Sequence, residues 1–171
     1  MMDKGWKPMP VILKIIWILL IVETFFAVLT VASIYGSGFE FMGFSLAGMV
    51  ALDVFFVAKI ALPIVLIIGM HQRYGWIWIV ALAYYLLFAV NGFASITNIG
   101  ELQNKILEQM PEIPEGITEE MYLQIIHWTL ITSLVMGSLF NIAVMILIFI
   151  KRKYFIVVRH AEPPSETELP E

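Results

Sequence analysis

Cysteine is absent from all 171 residues, and Asp, Glu, Lys and Arg together make up only 14% of them. Without thiols there are no disulfides, thiolate nucleophiles, Cys-type zinc sites or iron–sulfur clusters, and the redox compartment stays undecided. The shortage of charge excludes an ordinary water-soluble fold, in which about 25% of residues are charged. Also missing are a glycine-rich phosphate loop, a paired metal-ligand motif and a nucleophile elbow, so neither a cofactor nor catalysis is expected. Basic residues are few and gather at the ends of apolar blocks, which argues against nucleic acid as a partner.

What the chain does have is apolar sequence, 60% of the total, in blocks too long for soluble core helices. A hydrocarbon core about 30 Å thick needs roughly 20 apolar helical residues at 1.5 Å of rise each. Stretches at about 9–35, 48–70, 74–97 and 121–150 meet that test. In lipid every backbone N–H and C=O must be satisfied, and blocks without period-2 alternation favour helices over a barrel. The expected fold is therefore all-α: an antiparallel four-helix membrane bundle over residues 1–158, followed by an acidic tail at 159–171. That tail has too few apolar side chains to fold alone and is expected to be disordered in the cytoplasm. The stretch after Lys4 and Lys7 exceeds the roughly 7–15 residues of a signal h-region and contains Glu23, so it reads as a retained anchor.

Orientation follows from Lys and Arg in the short connections, which favour the cytoplasmic side. Lys4 and Lys7, Arg73, Lys151-Arg152-Lys153 and Arg159 fall on one side, whereas 36–47 carries only Glu40. The 101–120 loop holds six glutamates against Lys105. Both termini are thus expected in the cytoplasm of a multi-pass cell-membrane protein. Trp and Tyr favour the interface, and Tyr35, Tyr122 and Trp128 near the outer ends, with Trp6, Tyr74, Trp76, Trp78 and Tyr154 near the inner, agree. Trp17, Tyr84 and Tyr85 lie deeper, so the tyrosine hydroxyls should meet protein or trapped water.

The outer loop carries its own pattern. Ile99, Leu102, Ile106 and Met110 recur every three or four residues, which predicts a short amphipathic extracytoplasmic helix covering the bundle end. Prolines 111 and 114 with Gly116 break it, and Thr118 is placed to cap the last helix with Glu119 and Glu120 in its first turn. Residues 154–158 read as a brief strand or an interfacial anchor. The Lys151-Arg152-Lys153 run reads as a topology signal, because lipid recognition usually takes four to eight cations.

Charges inside the spans carry the functional argument, since insertion scales assign them about 2.5–3.5 kcal/mol each at a helix centre. Lys14 lies near the cytoplasmic end and its stem can snorkel. Glu23 is ten residues before Ser33, about 15 Å from that end, and Lys59 is eleven residues after Gly48, at about the same depth in an antiparallel neighbour. A Glu23–Lys59 ion pair is therefore expected, either as a register-fixing contact or as a site. Pro63 cannot donate to the Lys59 carbonyl, so a helix defect coincides with the charge. Asp53 lies about one and a half turns further out and about 120° around the helix, facing the outer end.

Weaker candidates follow. Tyr84 and Asn91 are seven apart and share a face of the third helix. Ser133, Gly137 and Asn141, with Ser138 beside them, form a small-residue stripe suited to helix packing. His127 is a lone histidine, and zinc usually needs three or four protein ligands. A four-span chain with a first-helix glutamate resembles the small multidrug resistance transporters, which also use a first-helix carboxylate. Lys59, the long outer loop and the extended tail depart from their pattern. Three readings remain: a noncatalytic membrane subunit that meets other membrane chains or a second copy of itself; a small transporter or channel component that binds a proton or charged solute at Glu23, Lys59, Asp53, Tyr84 and Asn91; and, as the outsider, an enzyme assembled from Glu23, Asp53, Lys59, Tyr84 and His127.

Overall fold

The structure, a computed structural model, describes residues 9–109, 116 and 118–156. The N-terminal lysines, the 110–115 breaker and the tail from residue 159 lie outside the described residues, as do positions 157 and 158. The described chain is all-α apart from one small hairpin. Its elements are α1 (Val11–Ser37), β1 (Phe39–Phe41), β2 (Phe44–Leu46), α2 (Gly48–Gln72), α3 (Ile77–Ile96), α4 (Ile99–Gln109), α5 (Glu119–Ile150) and α6 (Lys153–Ile156). Four of them, α1, α2, α3 and α5, are long and apolar enough to cross a membrane. α1 alone has 27 residues, a rod of about 40 Å.

Apolar residues all round these helices leave the backbone to satisfy itself. The surface is correspondingly inverted relative to a soluble protein: Phe25, Phe26 and Leu29 of α1 and Met136, Leu139 and Phe140 of α5 all point outward. The buried side is a second apolar set, with Leu13, Ile16 and Leu20 meeting Leu66, Met70, Tyr84 and Ile148. α1 lies mainly against α2, and the most extensive helix contact joins α3 to α5.

The connection at 36–47 contains a β-hairpin. Phe39 pairs with Leu46, Glu40 with Ser45 and Phe41 with Phe44. The two turn residues, Met42 and Gly43, both have positive φ, 54° and 76°, the geometry of a tight primed turn. The third span is shorter at its start than expected, because Tyr74 and Gly75 belong to the turn from α2 and helix α3 begins at Ile77. Residues 154–156 are part of α6, which removes the strand reading for the described portion of 154–158. α4 carries three of the four residues of the expected stripe: Ile99, Leu102 and Ile106 are half-buried while Glu101 is exposed, and Met110 lies outside the described residues. Gln103 Nε2 donates to the Leu123 carbonyl at 3.0 Å, tying α4 to α5. Thr118 caps α5, its Oγ1 accepting from the Met121 N–H.

Within the chain, the close approach on α5 falls one position away from the expected stripe. Ser133 and Gly137 are exposed, a Cβ on Gly137 would meet nothing within 4 Å, and Asn141 donates its amide back to the Gly137 carbonyl at 3.0 Å. Ser138 is buried instead, and it presses on Gly92 of α3: a Cβ there would collide with Ser138 Oγ and stand 3.2 Å from the Leu134 carbonyl. Small residues let membrane helices approach in this way. Gly92→Leu is therefore expected to lower unfolding stability in detergent by about 1–3 kcal/mol through overpacking, whereas Gly137→Leu leaves it within about 0.5 kcal/mol. Thermal midpoints followed by circular dichroism check both, and equal losses would refute the assignment of the contact to Gly92.

Candidate functional site

Glu23 sits at the margin of the packed stripe of α1. Leu20 and Ala27 on one side of it are buried, while Leu19 and Phe26 on the other are exposed. The carboxylate is thereby carried to the edge of the helix contact rather than into its centre. Opposite it, α2 departs from α-geometry: residues Phe56–Ala61 form a π-helical turn, closed by the Leu62 N–H bonding to the Val57 carbonyl five residues back. Pro63 follows at once and is buried. Because proline has no N–H, the regular bond to the Lys59 carbonyl cannot form, and the wide turn accommodates that loss. The expected coincidence of charge and helix defect is thus realised as a π-turn with Lys59 inside it.

Lys59 Nζ lies 2.7 Å from Glu23 Oε1. The same ammonium stands 3.8 Å from the centroid of the Phe88 ring, a cation–π contact from α3. Tyr84, one turn before Phe88, donates its hydroxyl to Glu23 Oε1 at 3.3 Å. The Tyr84 and Phe88 rings are 4.8 Å apart, and Tyr85 meets Tyr84 edge-on at 5.2 Å. One carboxylate oxygen therefore collects an ammonium and a phenol, and three helices converge on it. The pair is not sealed: the Glu23 side chain keeps 38% of its exposure and Lys59 25%.

The other candidates are placed elsewhere. Asp53 is exposed on α2, flanked one turn away on each side by the exposed apolar residues Met49, Val50, Phe56 and Val57, and it takes no part in the cluster. Asn91 does share a side of α3 with Tyr84, but its Oδ1 accepts the Met42 N–H at 2.5 Å and so holds the hairpin. The Asn98 side chain donates to the Gly43 carbonyl beside it. Lys105, which the sequence left alone among glutamates, reaches from α4 to Glu40 at 2.6 Å and also contacts Ser45, pinning α4 to the hairpin. Trp17 donates its indole N–H to the Ile67 carbonyl at 2.9 Å. His127 lies edge-on to Trp128.

Phe88 escaped the sequence reading because an uncharged ring carries no signal of its own. Its spacing of four from Tyr84 was the available clue. Chemically the cluster offers an anionic oxygen, a tethered ammonium and aromatic faces. That set suits exchange of a proton or a cation. Comparisons with known proteins found no family model, no curated protein and no solved structure that matches this chain.

Leaving one charge of the pair without the other costs about 3 kcal/mol near a helix centre. Glu23→Gln and Lys59→Met are each expected to lower stability by about that amount, and the double variant by less than the sum, as residues in contact do. Unfolding of all three in the same detergent measures the coupling. A double variant that loses the full sum would mean that the two charges act independently.

Proposed function

We propose that this chain is a noncatalytic, multi-pass cell-membrane protein that acts as an assembly or interaction subunit. Its four long helices run antiparallel, both termini are cytoplasmic, and α4 with the hairpin caps the outer end. The observation that carries this reading is the Glu23–Lys59–Tyr84 cluster, in which the polar groups expected deepest in the bilayer satisfy one another across three helices. A structural lock of this kind fixes register and leaves the outward helix faces apolar for lipid or other chains. The antiparallel arrangement is supported by paired contacts that run in opposite senses along α1 and α2, Glu23 with Lys59 and Trp17 with Ile67. The orientation is supported by Arg73 and Lys151-Arg152-Lys153 at one end and Glu40, Glu101 and Glu120 at the other.

One observation favours a second reading, a small transporter or channel component. A carboxylate 38% exposed at mid-span is reachable by a proton or a charged solute, and Lys59 would then be its competing internal cation.

Because the chain has no cysteine, single introduced thiols report sidedness cleanly. A membrane-impermeant maleimide added to intact cells is expected to label Glu120→Cys and to leave Lys153→Cys unlabelled until the membrane is opened. The reverse pattern would overturn the orientation. In proteoliposomes under a pH gradient the subunit reading expects no flux of protons or tetraalkylammonium above empty vesicles. A flux abolished by Glu23→Gln would replace that reading with the transport one.

A further inference from the structure

Asp53 is exposed on α2, and no hydrogen bond or ion pair reaches it among the described residues. Its direction is fixed by packing on the far side of the same helix. Ala51 and Phe55 are buried there, and Phe55 meets Phe39 of the hairpin edge-on at 5.2 Å. Asp53 stands two residues from each, about 200° around an α-helix, so burying those two turns it outward. Its neighbours at steps of three and four, Met49, Val50, Phe56 and Val57, are each more than half exposed.

Six residues separate Asp53 from Lys59, no more than about 9 Å along the axis. With the Glu23–Lys59 pair near mid-span, the carboxylate stays inside the outer half of a hydrocarbon core about 30 Å thick. Its side chain is too short to snorkel as a lysine does. Ionisable groups at such depth otherwise face the bundle interior or pair with one another, and Asp53 does neither within the described residues. A second copy of the chain has no spare lysine or arginine to offer at that depth. Of its ten Lys and Arg, Lys59 and Lys105 are engaged by Glu23 and Glu40. The other eight fall before residue 15, at 73 or at 151–159, in the first turn of or beyond the helix ends remote from the hairpin. His127 of α5 is half-buried and edge-on to Trp128. Two copies joined symmetrically on this face would set Asp53 against Asp53, like charges that repel.

We propose that the Asp53 face of α2 docks a membrane-spanning helix of a different protein, one that carries a lysine or arginine in the outer half of the bilayer. The partner's cation meets the Asp53 carboxylate, and its apolar side chains cover Met49, Val50, Phe56 and Val57. An apolar face with one unanswered negative charge is complementary to an apolar helix with one positive charge. Taking both charges out of lipid contact favours that helix over an uncharged one. The inference rests on the membrane-subunit reading above and adds to it the face that is used and the charge of the partner.

The test places the full chain, labelled at Glu120→Cys, in phosphatidylcholine vesicles with a labelled leucine-rich membrane-spanning peptide, and reads association by energy transfer. One peptide carries a single lysine about six residues from its midpoint, and its control carries leucine there. The lysine peptide is expected to associate about tenfold more tightly than the control, the scale of a polar contact between helices in lipid. Asp53→Asn is expected to remove that difference while leaving the thermal midpoint of the chain unchanged. Asp53→Lys is expected to transfer the preference to a peptide with glutamate at the same place. Equal association of the lysine and leucine peptides would overturn the proposal, as would a preference that survives Asp53→Asn. A dimer of the chain alone that Asp53→Asn dissolves would assign the face to a second copy and overturn it too. Failure of the subunit reading shows separately, as a Glu23-dependent flux in vesicles without peptide.

Discussion

Everything in the middle of this bundle is organised around one carboxylate oxygen. Glu23 Oε1 receives the Lys59 ammonium and the Tyr84 hydroxyl, and the same ammonium lies on the Phe88 ring. In a medium that solvates ions poorly, such groups must find one another or change protonation state. Meeting that requirement ties α1, the π-turn of α2 and α3 together at a common level. The helix irregularity at Phe56–Ala61 belongs to the same constraint. Pro63 denies Lys59 a regular helical partner, and the widened turn carries the lysine in place of an ordinary α-turn.

The rest of the architecture is arranged in layers on either side of that level. Toward the hairpin end, polar contacts are made by side-chain amides and one ion pair: Asn91 and Asn98 of the third helix region hold the Met42-Gly43 turn, and Lys105 clamps Glu40. Toward the other end the contacts are aromatic and cationic, with Arg73 on Tyr154 and Trp17 reaching Ile67. Between them the α3–α5 seam is closed by the absence of a side chain at Gly92, which admits Ser138. The outward faces are mostly apolar, with Asp53 of α2 exposed among them.

Two functional readings share this geometry and differ in what the half-exposed Glu23 does. As a lock, the cluster is a self-neutralised pair whose value is register. As a site, it is an anionic pocket in which Lys59 already occupies the place of a cation.

By itself the sequence determined the four apolar rods, the amphipathic helix between the third and the fourth, the Thr118 cap and the meeting of Glu23 with Lys59. Each depends on a period, a length or a charge that lipid makes costly, and these act locally or through depth alone. Only the tertiary structure decided that Met42-Gly43 turns a hairpin, that Asn91 serves that hairpin and not the ion pair, and that Asp53 stands apart. It likewise decided that Ser138 rather than Gly137 meets α3, and that Arg73 rests on the Tyr154 ring. Those outcomes depend on helix rotation and on which ends fold back. Such properties are set by side-chain packing between segments distant in the chain, and no single segment encodes them.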